Sequence, residues 1–300
     1  MKRLYVLITN KCTLSCRYCF YNVGLYQKTS YEINVDKLLK KIKSLSEYFD
    51  EVVFTGGEAL LLKEIFLIAS EFKRSGFITR IITNGTLLTP TVCKNIVSTF
   101  DIVDLSLDSL DSKQNNLTRG KSHIVKEGLK NLLRVRPKNL EIKILQTITS
   151  INYKSIEKMM GFCNERKIKL WLTPVDLNCN NPLSLKILND GQICNFKEIF
   201  HKWIEFASDN DKKEKKSLSS YFNNIESLLQ DKSIKVSCKM GVESFVLDPN
   251  GNIHACFYRK DLIFGNIYKD KLSQIMKINS KKNTPLRNCV SLGCLCLTDF

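Results

Sequence analysis

Cys12, Cys16 and Cys19 stand within the stretch NKCTLSCRYCF (10–20), spaced C-x₃-C-x₂-C. Lys11, Thr13, Ser15 and Arg17 alternate with them, which makes the segment too polar for core cysteines. A structural zinc site takes four nitrogen or sulfur ligands, usually from two C-x₂-C knuckles, whereas here three thiols stand together with no local histidine. Three thiolates around an iron–sulfur cluster leave one iron open to a non-protein ligand. Five more of the 12 cysteines, Cys238, Cys256, Cys289, Cys294 and Cys296, gather towards the far end of the chain. Cys93 and Cys163 lie in helical patterns among apolar residues and read as core. Cys194 opens a helical pattern without an evident role, and Cys179 follows the last of the strand patterns described next.

Those thiols need elements to position them. Short β-rich runs, LYVLIT (4–9), EVVFT (51–55), ITRIIT (78–83), DIVDLSL (101–107), LEIKILQTI (140–148) and IKLWLTPV (168–175), alternate with amphipathic helical patterns such as NVDKLLKKIKSLSEYF and SHIVKEGLKNLLRV. Alternating strands and helices predict repeated βα units on a parallel sheet. Roughly 170 residues is short for the eight units of a closed barrel. The expectation is therefore an α/β chain, an open (β/α)6 partial TIM barrel over 1–178, with the cysteine triad just after the first strand. Active groups of such folds sit on that face, at the strand C-termini. A helical linker region is expected over 179–235, then a small hairpin-plus-helix domain over 236–300. In that domain ESFVLD and NIHACFYR flank a Pro-Asn-Gly turn.

Composition bounds the class. With 43% hydrophobic and 25% charged residues over 300 positions, the chain is of ordinary globular composition. No apolar run reaches the ~18 residues that would span a bilayer. The basic N-terminus lacks a signal-peptide pattern, so the expected location is the reducing cytoplasm, where clustered cysteines bind metal or do chemistry. The formal net charge of +16 suits an acidic partner. Its lysines are dispersed rather than gathered with stacking aromatics, so nucleic acid is not the expected partner.

The triad resembles the signature of the radical S-adenosylmethionine (SAM) enzymes, C-x₃-C-x-Φ-C, with Tyr18 as the aromatic Φ. Gly56, Gly57 and Glu58 in FTGGEALL resemble the family's GGE element, which implies that they hold the amino group of SAM. Glycine lets a main chain approach a ligand, and a carboxylate offsets an ammonium. Thr83 and Asn84 in ITNGTLL, and Ser106 and Asp108 in SLDSLD, resemble ribose- and methionine-contacting positions. Arg119 in NNLTRG is implied as a cofactor-side or substrate-side cation. The resemblance implies a [4Fe–4S] cluster on Cys12, Cys16 and Cys19, with SAM chelating the fourth iron. Reductive cleavage of SAM to a 5′-deoxyadenosyl radical would follow, with a flavodoxin- or ferredoxin-type protein as reductant.

Cys238, Gly251 and Cys256, with FGNI after them, resemble the start of a SPASM/twitch auxiliary-cluster domain. Five cysteines imply one auxiliary [4Fe–4S] cluster rather than two. Cys238, Cys256 and two of Cys289, Cys294 and Cys296 are its implied ligands, with Cys289 and Cys294 the expected pair. A zinc knuckle from the same cysteines is the alternative. Family members with such domains mostly modify ribosomally made peptides by crosslinking, epimerisation or oxidation, and a minority dehydrogenate cyclitol-type small molecules. An RNA-modifying member is a third reading, motivated by charge. Phe257 after Cys256 departs from the Cys-Asp pair of formylglycine-generating maturases. Eleven residues precede Cys12, too few for a leader-binding domain there. A peptide substrate with an acidic leader, or a separate leader-recognition protein, is therefore expected. Cys179, at the barrel mouth, is the candidate thiol for returning hydrogen to a substrate radical. His254 lies beside the auxiliary cysteines and could tune a cluster there.

Overall fold

The computed structural model describes residues 1–19, 31–175, 182–230, 232, 239–257 and 261–282. Six parallel strands, β1 (Arg3–Thr9), β2 (Glu51–Gly56), β3 (Ile78–Thr83), β4 (Ile102–Ser106), β5 (Glu141–Ile148) and β6 (Lys169–Pro174), lie side by side in sequence order. Helices α1 (Val35–Leu39) and α2 (Ile42–Ser46) follow β1, α3 (Ile65–Arg74) follows β2, and α4 (Pro90–Thr99) follows β3. Helices α5 (Ser112–Thr118) and α6 (Ser122–Val135) follow β4, and α7 (Ile156–Arg166) follows β5. Beyond β6 the long helices α8 (Asp190–Ser208) and α9 (Lys212–Leu229) pack on each other and on the β6 edge. Asn189 and Gln192 form a reciprocal capping box at the start of α8.

Strand alternation divides the sheet into two faces. Leu4, Val6, Ile8, Val52, Phe54, Val103, Ile142, Ile144 and Leu170 join the helices in the main core. The opposite, inner face carries Tyr5, Leu7 and Val53 in a second cluster. Its end at the strand N-termini is closed by buried charges. Arg3 Nη2 lies 2.7 Å from Glu51 Oε2, Arg80 Nε 2.5 Å from Glu51 Oε1, and Arg80 Nη1 3.2 Å from Asp104 Oδ2. The functional loops emerge at the other end.

The hairpin of the C-terminal segment does not stand apart. Its first strand, β7 (Ser244–Leu247), pairs in parallel with β1, Tyr5 opposite Val246. Strands β8 (Asn252–His254) and β9 (Ile263–Asn266) then add in antiparallel fashion, giving one nine-stranded sheet ordered 6-5-4-3-2-1-7-8-9. Helix α10 (Leu272–Lys282) covers β9. Among the described residues the order is linear, with β6 and β9 at its ends and no pairing between them. Cys256 and Phe257 thereby reach the inner-face cluster of Tyr5, Leu7 and Val53.

One local expectation differs, and two short elements were not expected. The single helix read over NVDKLLKKIKSLSEYF is two short helices, because the ladder tightens where Lys41 N–H bonds Leu38 O at 2.9 Å. Like charges at Lys37, Lys40, Lys41 and Lys43 crowd that turn. Helix α5 and strand β9 carried no clear periodic signal, being short.

Candidate active site at the strand C-termini

The loop after β1 packs directly on the loop after β2. Gly57 N–H donates to Thr9 O at 2.6 Å and Glu58 N–H to Lys11 O at 2.8 Å. A Cβ at Gly57 would lie 2.1 Å from Lys11 O, and one at Gly56, whose φ is +131°, 2.4 Å from Thr9 O. The space these glycines leave is thus taken by the backbone that leads into the cysteine triad.

Glu58 is fully buried and ties this junction to β3. Its carboxylate accepts from Thr83 Oγ1 at 2.8 Å, Asn84 N–H at 2.7 Å and Leu60 N–H at 3.2 Å. Burial pushes its pKa up to about 7 although those three hydrogen bonds pull it down. Asn84 then reaches the triad itself. Its Nδ2 lies 3.4 Å from Cys12 Sγ and 3.0 Å from Thr13 Oγ1, while its Oδ1 accepts from Thr86 N–H and Oγ1 at 2.9 and 2.7 Å.

The other flank of the triad is a closed network. Tyr18 Oη donates to Asp108 Oδ2 at 2.5 Å, and Arg119 Nε donates to Asp108 Oδ1 at 2.8 Å. Thr147 N–H donates to the same Oδ1 at 3.0 Å, and Arg119 Nη2 donates to Thr147 Oγ1 at 3.2 Å. The Arg119 guanidinium carbon lies 5.4 Å from the Tyr18 ring centroid. Burial disfavours the guanidinium charge, but Asp108 outweighs it and holds the Arg119 pKa well above its ordinary value. The backbone of Asp108 is pinned as well, its carbonyl accepting from Gln146 and Asn152 and its N–H donating to Asn115. Ser106, at the end of β4, is buried nearby on the same face.

The structure therefore brings Cys12, Cys16, Cys19, Tyr18, Gly56, Gly57, Glu58, Thr83, Asn84, Ser106, Asp108 and Arg119 to one end of the sheet. Thr13, Thr86, Thr147 and Asn152 belong to the same assembly. No sequence pattern marks their role, apart from Thr86 following the TNG turn. Cys93 and Cys163 are fully buried and Cys194 is exposed. Cys179, Cys238, Cys289, Cys294 and Cys296 lie outside the described residues.

Three thiols on one short loop suit a cluster. Cys12 is exposed, Cys19 half-buried and Cys16 buried. Burial, with Asp108, Cys19 and Cys12 acting in the same direction against Arg119, pushes the Cys16 thiol up to about 11, so a bound cation must supply the compensation for its ionisation. Among the described residues no three His, Cys, Asp or Glu side chains converge as ligands of a single ion; a polynuclear cluster spreads its ligands over several irons. The N–H groups aimed at Cys12 Sγ, from Leu14 at 3.5 Å and from Asn84, are of the kind that stabilise cluster sulfur.

Residues 6–163 match the family model of the radical SAM superfamily. The chain belongs to the radical SAM superfamily. Residues 238–296 match the SPASM model, an iron–sulfur cluster-binding domain. This radical SAM protein is accordingly an enzyme that uses SAM and a [4Fe–4S] cluster, with an auxiliary iron–sulfur site in its C-terminal segment. It is 26% identical over 209 residues to an S-adenosylmethionine-dependent nucleotide dehydratase of Lacinutrix mariniflava, an alignment with 65% of this chain and 43% of the relative. The chain thus spans under half of that relative's length. It is also 26% identical to a GTP 3′,8-cyclase of Clostridium botulinum, over 95% of this chain and 91% of the relative. Among solved structures, anSMEcpe with bound AdoMet and Kp18Cys peptide superposes with a TM-score of 0.65 at 20% identity. That superposition covers 96% of this chain and 88% of the other, and it shows that the two share a fold. No helix among the described residues is long and apolar enough to cross a membrane.

Proposed function

We propose that this radical SAM enzyme modifies a ribosomally made peptide, with Cys12, Cys16 and Cys19 holding the catalytic cluster and the loops after β2, β3 and β4 holding SAM. The observation that carries the assignment is Asn84, which bonds Cys12 and Thr13 through its side chain and Glu58 through its backbone. One residue thereby couples the cluster loop to the cofactor cradle. When bound, the cluster–SAM pair supplies a 5′-deoxyadenosyl radical that takes a hydrogen atom from the substrate. Glu58 has three of its roughly four acceptor sites occupied, leaving one for the SAM ammonium. Asp108 and Arg119 neutralise each other and clamp Tyr18, so their role is to hold the triad loop rigid rather than to offer net charge to the ligand.

On the inner face Leu145, Thr147 and Thr173 of β5 and β6 are partly exposed, whereas Tyr5 and Leu7 on β1 are buried. The β6 edge itself is covered by α8 and α9, Trp203 donating to Leu170 O and Tyr221 to Leu172 O. The SPASM match and the bound peptide of anSMEcpe support a peptide substrate. A second reading, a nucleotide substrate, is favoured by the near full-length alignment with the GTP 3′,8-cyclase.

The test is anaerobic turnover of the reconstituted full chain in D₂O, read by mass spectrometry. The substrates are cysteine-bearing peptides encoded beside the gene and, separately, GTP. Loss of two hydrogens from a peptide with formation of 5′-deoxyadenosine would establish crosslinking or dehydrogenation. A one-unit gain would mean hydrogen return from an exchangeable donor, with Cys179 as first suspect. Conversion of GTP with every peptide unchanged would overturn the peptide reading.

A further inference from the structure

The charges on the inner face of the sheet do not balance. Towards the strand N-termini, Arg3, Arg80, Lys143 and Lys169 stand with Glu51, Asp104 and Glu141, four cations for three carboxylates. Each carboxylate is already occupied. Glu51 holds both arginines, Asp104 holds Arg80, and Glu141 Oε2 lies 2.7 Å from Lys169 Nζ.

Lys143 is the cation left over. It lies in register between Asp104 on β4 and Lys169 on β6, yet among the described residues no hydrogen bond or ion pair reaches its ammonium. Its described partner is the ring of Trp171, whose centroid lies 5.9 Å from Nζ. That ring is fixed in turn, stacked on Tyr221 and edge-on to Trp203. Burial pushes the Lys143 pKa below the ordinary lysine value, against the pull of Asp104. An ammonium withdrawn from water without a carboxylate of its own is stabilised by any anion that can reach it.

A route to it runs down β5. Lys143, Leu145 and Thr147 are alternate residues of that strand, all on the inner face and all partly exposed. Thr147 belongs to the Asp108–Arg119 network at the strand C-termini. Four residues of extended strand put Lys143 roughly 13 Å below it, with Leu145 and the partly buried Ile82 on the inner face between. Arg119, nearer the triad, is neutralised by Asp108 at 2.8 Å, whereas Lys143 keeps its charge for a ligand.

We propose that Lys143 binds an anionic group of the substrate, a carboxylate or a phosphate, that descends the inner face of β5, and so sets how deep the substrate sits beneath the SAM cradle. This rests on the reading that substrate enters from the strand C-termini. For a peptide the anion is an Asp or Glu side chain, and for a nucleotide it is a phosphate. Either way the contact lies away from the triad and acts by binding and positioning.

The experiment is trace acetylation of lysines by acetic anhydride in anaerobic holoprotein, read residue by residue by mass spectrometry. The probes are the cysteine-bearing peptides encoded beside the gene, the same peptides with every Asp and Glu changed to Asn and Gln, and GTP. The expected result is that an acidic peptide slows acetylation of Lys143 and its amide counterpart does not. Lys143→Met should then raise the KM for that peptide roughly 10- to 100-fold, the range for a lost charge-assisted hydrogen bond. The effect should fall on KM rather than kcat, and Lys143→Arg should recover most of it. Equal protection by the amide peptides, or an unchanged KM in Lys143→Met, would overturn the anion contact. Protection by GTP alone would uphold the contact, with phosphate as its anion, and overturn the peptide reading instead. Protection by neither peptide nor GTP would overturn the contact itself.

Discussion

Three donors converge on the Glu58 carboxylate, yet burial still pushes its pKa up to about 7. That value sets two opposite pH dependences. A carboxyl whose pKa is higher in the folded chain than the usual 4.5 holds its proton better when folded. The resulting stabilisation is complete below the unfolded value and is lost as pH rises through about 7, a total of roughly 3 kcal/mol. In the proposed role, by contrast, an ionised Glu58 pairs with the SAM ammonium, so SAM binding should weaken about tenfold for each pH step below 7. Calorimetric titration of SAM into anaerobic holoprotein between pH 5.5 and 8.5 measures this. A flat profile would remove Glu58 from the SAM site and leave it a strut between the β2 and β3 loops.

At the scale of elements, the contact that assembles the site is loop against loop, and it depends on absent side chains. Gly57→Ala drives a Cβ into the Lys11 carbonyl, a backbone atom that cannot swing aside. The β1 and β2 loops must then separate, and the triad with them. The variant is expected to fold with a Tm a few degrees lower, yet to take up less than half the iron of the parent at the N-terminal site. Gly161 on α7 meets nothing within 4 Å, so Gly161→Ala should gain about 0.5–1 kcal/mol from helix propensity and leave iron content unchanged. Equal iron in both variants would refute the packing account. This contact also shows where sequence reading stops. Strand and helix positions were legible because β-rich runs and 3.6-residue periodicity repeat along the chain, and the cysteine spacing and the GGE, TNG and SLDSLD stretches marked the site's loops. What those glycines touch was not legible, because Thr9 and Lys11 meet Gly56 and Gly57 only after a parallel crossover. Thr147 and Asn152 were invisible for the same reason. They act by hydrogen bonds to Asp108, about forty positions earlier, which no local pattern records.

At the scale of the molecule, the sheet argues against separable halves. The hairpin-plus-helix segment continues the barrel's sheet, β7 being hydrogen-bonded to β1 in register from Arg3–Ser244 to Val6–Leu247. Phe245 and Leu247 on that strand enter the main core, and Phe245 packs edge-on against Phe49 and Phe264. Removing the C-terminal segment would bare a central strand that is apolar on both faces, and such an edge invites pairing with other chains. The chain should consequently unfold in a single transition. Both of its tryptophans, Trp171 on β6 and Trp203 on α8, lie at the far edge of the sheet from β8. Tryptophan fluorescence thus reports one end of the sheet, and hydrogen exchange at the Ile253 amide reports the other. In urea, under reducing conditions and without iron, the two probes should give coincident midpoints, as two-state unfolding requires. A chain ending at residue 230 should be recovered as soluble monomer in much lower yield. Exchange at Ile253 that precedes the loss of tryptophan signal, together with a soluble, folded 1–230 chain, would show that the hairpin is an appended module. Reduction of the triad's cluster and loading of the C-terminal site would then be independent events rather than properties of one continuous sheet.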